Sequence, residues 1–255
     1  MLLSMKKHIP NLITLGNLFC GTIATIFAVQ GDFKYAALFV VLGIVFDFFD
    51  GFAARLLKVS GELGKQLDSL ADMVTSGVVP GIIMYQLLNT SKVLETKSTI
   101  DDDAIWELIA IDPGFLKFLG LLLTLGACYR LAKFNIDTRQ SDSFIGLPTP
   151  AMSLFIISLP LIQEYTTIEF VQHLISNHYF LIAITFLLTY LMNAELPLFS
   201  LKFKNYNFNN NVLKYLFLIA SLILLLTLKY IAIPLVILLY VALSMISNYG
   251  KKMTV

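Results

Sequence analysis

The sequence predicts an all-α protein: a polytopic bundle of membrane-crossing helices, with a six-helix core and about two further spans. Three observations predict it. Of 255 residues, 57% are hydrophobic and only 14% charged, with mean hydropathy +0.79, which is more apolar side chain than one aqueous core could hide. Apolar runs recur at lengths close to the ~20 helical residues that cross a hydrocarbon core about 30 Å thick. Lysine and arginine gather on alternate connections between those runs, as the positive-inside rule describes for multi-span proteins.

Taken in order, the runs fall at 11–30, 34–58, 62–89, 114–134, 149–164, 177–194, 212–228 and 230–248. The first follows Lys6 and Lys7 and imitates a secretory signal. It lacks a small-x-small cleavage site ahead of a polar region, so it is expected to stay as a span. The second and third are joined by KVSGEL, whose Ser60-Gly61 pair suits a tight turn between antiparallel helices. The third contains Pro80, where a kink is expected. The fourth ends in Arg130 and Lys133, and GLPTP forms a stiff loop at the head of the fifth through Pro148 and Pro150. No linker or low-complexity stretch divides the chain, so residues 1–255 read as a single integral membrane domain, with core 8–195 and additional C-terminal spans 212–248.

With eight spans, Lys6, Lys7, Arg55, Lys58, Lys65, Arg130, Lys133, Arg139, Lys202, Lys204, Lys214, Lys251 and Lys252 share one side. Only Lys34, Lys92, Lys97, Lys117 and Lys229 fall on the other. This asymmetry predicts a multi-pass protein of the cell (inner) membrane with both termini in the cytoplasm. The longest outer loop, NTSKVLETKSTIDDDAIWELIAID, is acidic. A net charge of +1 spread over short loops excludes a nucleic-acid-binding stripe. Cys20 and Cys128 fall inside spans and read as packing residues. His8, His173 and His178 lie at span ends or in loops and give a histidine triad or zinc site little to build on.

Against that apolar background, FDFFDGFAARLLKVSGELGKQLDSLADMVTSG stands out. At 100° per residue, Asp47, Asp50, Gly51, Ala54 and Arg55 share one broad face of the second span. Gly61, Gly64, Asp68 and Asp72 share one face of the third. Folding back at the turn brings the two acidic pairs to similar depth, so four carboxylates converge. The apolar run ahead of Asp47 covers about 18 Å, which puts the cluster roughly a dozen ångströms below the cytoplasmic boundary. An isolated aspartate at a helix centre costs about 2.5–3.5 kcal/mol, and four facing one another repel unless a cation sits between them. Clustered carboxylate oxygens suit hard divalent ions, and Mg²⁺ in particular is held by a few carboxylates plus phosphate. Pairing with Arg55 or lining a proton path is the competing explanation for buried acids.

Asp47, Asp50, Gly51, Ala54, Arg55, Gly64, Asp68 and Asp72 match without a gap the pattern D-x2-D-G-x2-A-R-x8-G-x3-D-x3-D. In this the chain resembles the CDP-alcohol phosphatidyltransferases, which transfer a phosphatidyl or related phospho-group from a CDP-linked donor to a hydroxyl and release CMP. The resemblance implies two divalent ions per site, Mg²⁺ or Mn²⁺, held by Asp47, Asp50 and Asp68. It implies that Asp72 touches metal and serves as general base. Gly51, Ala54, Arg55 and Gly64 would then border the CDP-diacylglycerol, although Gly64 also suits simple helix packing. Asn11, Thr14, Asn17 and Gly21 form a polar stripe on the first span, open to two readings: contact with the nucleotide phosphates or hydrogen bonding between helices.

Cys128 to Met152, CYRLAKFNIDTRQSDSFIGLPTPAM, together with IPNLITLGNLFCG, resembles the phosphatidylserine synthase branch of that family, which implies L-serine as acceptor. Arg130, Lys133 and Asn135 are candidate serine-binding groups, and anchoring of a helix end is the competing role for the two cations. The same likeness implies a homodimer in contact with membrane lipids. Another alcohol acceptor, a membrane prenyltransferase, which would need a second acidic motif where only DTRQSD stands, and an ion-coupled transporter are the alternatives.

Overall fold

The structure is a computed structural model that describes residues 2–59, 61–91, 113–137, 145–199 and 211–252. Ser60, the acidic outer loop with Lys92 and Lys97, Arg139 with most of DTRQSD, and Lys202 and Lys204 lie outside the described residues, as do the side chains of Lys6, Lys7, Lys251 and Lys252. Every expected apolar run forms a helix. The elements are α1 (Leu2–Gln30), α2 (Phe33–Leu57), α3 (Glu62–Asp72), α4 (Val79–Thr90), α5 (Leu122–Ile136), α6 (Thr149–Tyr165), α7 (Glu169–Ile175), α8 (His178–Asn193), α9 (Val212–Leu228) and α10 (Ala232–Lys252). Among the described residues, four stretches are long and apolar enough to cross a membrane: His8–Gln30, Phe33–Leu57, Glu62–Thr90 and Val212–Ser247.

α1 and α2 form the most intimate pair. Gly31, at φ 78, turns the chain, and the Asp32 side chain caps α2 by accepting from the Tyr35 N–H at 3.3 Å. Near the turn Ala24, Ala28, Ala36 and Ala37 are buried, so the two backbones can close on each other where larger side chains would hold them apart. α1 begins well before the apolar run because hydropathy marks where a span starts, whereas a helix can continue into polar chain. The α2–α3 turn also differs in detail. Lys58, not Gly61, takes the left-handed conformation at φ 54, closing α2 with its N–H on the carbonyls of Ala54 and Arg55. Gly61 is extended.

The third span is not one regular helix. Between α3 and α4, Met73–Val78 is a π-helical turn in which the Val79 N–H reaches back five residues to the Val74 carbonyl. Pro80 explains it: the ring has no N–H and crowds the carbonyl four residues earlier, so the ladder shifts its register there. The extra residue turns Thr75 into the α1–α2 seam, where it is fully buried. Gly21 and Gly43 make room for it. A Cβ at Gly21 would stand 3.0 Å from both the Cα and N of Thr75, and one at Gly43 would meet its Cγ2 at 2.7 Å and the Asn17 Oδ1 at 2.8 Å.

A stability prediction follows from that contrast. Gly21→Ala should lower the thermal melting temperature of the detergent-solubilised protein, because backbone cannot yield as a flexible side chain can, at a cost of about 1–3 kcal/mol. Gly51→Ala should leave it unchanged, since a Cβ there would meet nothing within 4 Å.

α6 is the most buried helix, with Met152, Phe155, Ile156, Ile157, Leu159 and Ile162 in the core. Its head is held by the preceding loop: the Gly146 N–H donates to the Leu196 carbonyl and the Leu147 N–H to that of Leu191, both at 2.9 Å. α9 and α10 fold back on each other at Lys229, at φ 50, with Phe217 and Tyr240 rings 5.6 Å apart across the hairpin. Tyr240 donates to the Phe199 carbonyl at 2.8 Å, tying the hairpin to the chain that leaves α8. The short helix α7, between α6 and α8, is not among the expected elements; its seven residues are too few to register as an apolar period.

Candidate active site and metal centre

The second half of α2 and the length of α3, which ends at Asp72, build the site. Asp47, Asp50 and Asp68 each bring a carboxylate oxygen to within 4.8 Å of the other two. Asp72, one turn after Asp68 on α3, adds a fourth carboxylate beside this group. Among the described residues no salt bridge joins Arg55 or any lysine to these acids; the ion pair found there is Lys133–Glu195 at 3.4 Å. Pairing with Arg55 therefore does not explain the cluster.

Three carboxylates crowded together without a cation are a costly arrangement, and their hard oxygen donors are what a divalent ion of the Mg²⁺ type takes. The residues fit such an ion. Asp47, Asp50 and Asp68 could hold it, with Asp72 beside them but outside the tight group of three.

The cluster forms part of the wall of a cavity of about 520 Å³. Asn11, Thr14, Gly51, Ala54, Arg55 and Gly64 line it, as the sequence pattern suggests. Gly51 leaves open space, whereas a Cβ at Gly64 would press on the Asn11 Oδ1 at 3.3 Å. Lys65 also lines the cavity and is absent from the sequence-derived set, although its place one residue after Gly64 and three before Asp68 puts it on the same helical face.

The polar stripe of α1 divides between the two roles left open for it. Thr14 donates to Asp50 Oδ2 at 2.5 Å and so touches both cavity and cluster. Asn17 does not line the cavity: it is fully buried and donates through Nδ2 to Asp72 Oδ1 at 3.1 Å. Gly21 is a packing residue against Thr75.

The three serine-binding candidates also separate. Lys133 pairs with the exposed Glu195 at 3.4 Å. Asn135 is spent on α3, where Ser69 donates to its Oδ1 at 3.1 Å and Lys65 donates to its carbonyl. Arg130 is different. It is 7% exposed, sits within electrostatic reach of Asp72, and keeps a buried Nε with no partner among the described residues. Its NH2 group reaches the Gly146 carbonyl only at 3.5 Å.

Comparison with known proteins gives this geometry its context. Residues 7–191 match the family model described as CDP-alcohol phosphatidyltransferase, a stretch that includes every residue of the acidic motif. The chain belongs to the CDP-alcohol phosphatidyltransferase family. Among curated relatives, it is 36% identical over 157 residues to CDP-diacylglycerol–serine O-phosphatidyltransferase of Bacillus subtilis, covering 60% of this chain and 75% of that one. It is 31% identical over 159 residues to the Helicobacter pylori J99 protein of the same name, covering 61% and 58%. It is 27% identical over 165 residues to archaetidylserine synthase of Methanothermobacter thermautotrophicus, covering 63% and 61%. The chain therefore spans less than two thirds of the length of the last two.

Proposed function

We propose that the protein transfers a phosphatidyl group from CDP-diacylglycerol to the hydroxyl of L-serine, giving phosphatidylserine and CMP. The observation that carries this reading is the set of three carboxylates within 4.8 Å at a cavity whose wall also holds Gly51, Ala54, Arg55 and Gly64 of the family pattern. The serine acceptor is supported by the names of the relatives above, the archaeal one included.

In this reading Asp47, Asp50 and Asp68, with Asp72 at the edge, hold two divalent ions, Mg²⁺ or Mn²⁺. Bound there, the ions would neutralise the pyrophosphate and stabilise the attacking and leaving oxygens of a displacement at phosphorus. Gly51 is small without being packed against anything, so its missing side chain serves the ligand: the nucleotide lies against α2 there and over Ala54. Arg55, at the cavity wall, presents its planar donor fork to a phosphate. Asn11 and Thr14 border the same ligand from α1.

The acceptor approaches from the Arg130 side. Its carboxylate satisfies the guanidinium, whose Nε has no partner among the described residues, and this sets the serine hydroxyl near Asp72. Asp72 takes the hydroxyl proton as the oxygen bonds to phosphorus and the P–O bond to CMP breaks. Lys133 and Asn135 shape the rim of that approach by fixing Glu195 and α3.

The same proposal places the protein in the cell (inner) membrane, multi-pass, with both termini and the site facing the cytoplasm, where nucleotide and serine are found. It treats residues 8–195 as the catalytic core, with 212–248 added to it, and two copies as a homodimer among membrane lipids. The test is CMP release by purified protein in detergent given CDP-diacylglycerol, Mg²⁺ or Mn²⁺, and serine, glycerol phosphate, inositol phosphate or choline in turn. Serine alone should drive release. Release with a phosphorylated acceptor but not with serine would overturn the acceptor assignment.

A further inference from the structure

Thr75 lies outside the family pattern, in the π-helical turn, and touches neither the cavity nor the carboxylate cluster. It nevertheless connects to the site through one residue. Its hydroxyl donates to Asn17 Oδ1 at 2.7 Å, and Asn17 Nδ2 donates to Asp72 Oδ1 at 3.1 Å. Both Thr75 and Asn17 are fully buried, so the bond between them does not compete with water, and the bond from Asn17 to Asp72 is part-buried.

The direction of this chain is forced. An ionised carboxylate only accepts, so the nitrogen of Asn17 must face Asp72, its oxygen must face Thr75, and Thr75 must donate. A reversed amide would put two acceptors against each other. The seam is also built to admit Thr75: the absent side chains of Gly21 and Gly43 are what allow it to approach α1 and α2.

We propose that Thr75 is a positioning residue for phosphatidyl transfer, acting through Asn17 to hold the Asp72 carboxylate in one rotamer. This rests on the reading of Asp72 as the base. The relay occupies Oδ1 and leaves Oδ2 to receive the acceptor's proton. The π-helical turn is thereby part of the active site: it aims Thr75 at Asn17, which a regular helix through Pro80 would not do.

The test uses the full chain in detergent with Mn²⁺, CDP-diacylglycerol and serine. Thr75→Val keeps the methyl contact with Gly43 and puts a second methyl in place of the hydroxyl. It should lower kcat roughly 10–100-fold, the range seen when the outer partner of a site residue is lost. KM for CDP-diacylglycerol, Mn²⁺ affinity measured by electron paramagnetic resonance, and the melting temperature should each stay within about twofold or a few degrees of wild type. Thr75→Ser restores the hydroxyl and should restore kcat. In an Asn17→Leu background, Thr75→Val should cost nothing further, because the two act as one unit.

Wild-type kcat in Thr75→Val would overturn the proposal. So would equal losses in Thr75→Val and Thr75→Ser, or additive losses in the double variant, since these mark a packing role. If Thr75→Val does not fold, Thr75→Cys, a weak donor of similar size, must show the kcat-specific loss or the proposal fails. A wild-type protein that releases no CMP with serine would instead sink the functional reading itself, and the role of Thr75 with it.

Discussion

Asp72→Asn is expected to abolish transfer, with kcat falling about 10²–10⁴-fold, while CDP-diacylglycerol and Mn²⁺ still bind. The substitution is conservative in the respects that matter to structure. Asn at this position keeps a carbonyl oxygen to accept from Asn17 Nδ2, so the bond now 3.1 Å long has a partner and the carboxylate's place is held by an isostere. What disappears is the capacity to take a proton. Asp72 also stands outside the group of three carboxylates whose oxygens lie within 4.8 Å, so most of the ion-holding set remains. Single-turnover CMP release beside equilibrium binding of Mn²⁺ separates the two functions. If nucleotide affinity fell as far as kcat, Asp72 would be chiefly a metal ligand and the base would have to be sought elsewhere.

Asp47→Asn is expected to do the reverse, weakening Mn²⁺ and CDP-diacylglycerol together by about 100-fold or more, since a lost ligand costs at least as much as a lost outer partner. Asp47 is the residue to choose because its carboxylate oxygen lies within 4.8 Å of those of both Asp50 and Asp68. The same change should affect stability with the opposite sign. Without metal the cluster holds like charges at short range in a weakly screened setting, so removing one relieves repulsion. The metal-free variant should melt no lower than metal-free wild type, and added Mn²⁺, which stabilises wild type by mass action, should stabilise the variant much less. Thermal melts with Mn²⁺ and with chelator check both halves. A variant destabilised equally under both conditions would mean that Asp47 serves packing.

Much of this was legible in the sequence because membrane helices obey a simple length rule and because helical spacing puts Asp47 with Asp50 and Asp68 with Asp72 whatever surrounds them. What escaped has specific causes. Periodicity assumes one register throughout, and the π-helical turn at Met73–Val78 breaks that register just past Asp72, so the inward position of Thr75 could not be counted out along the helix. Asn17 was placed on the right face, but nothing local says whether a buried amide meets ligand or carboxylate. Lys133 and Asn135 looked available because their partners, Glu195 and Ser69, lie far along the chain. Lys65 was within reach of the same helical arithmetic that found Gly64 and Asp68, hidden only because lysines near a span end are usually read as anchors.

The proposed transfer depends on the divalent ion that Asp47, Asp50 and Asp68 are arranged to hold, and Mn²⁺ reports on it directly. Titrating Mn²⁺ into the purified protein with CDP-diacylglycerol present, and following the free-ion signal by electron paramagnetic resonance, should show saturable uptake that Asp47→Asn removes. Uptake that is absent in wild type, or that persists unchanged in Asp47→Asn, would contradict it.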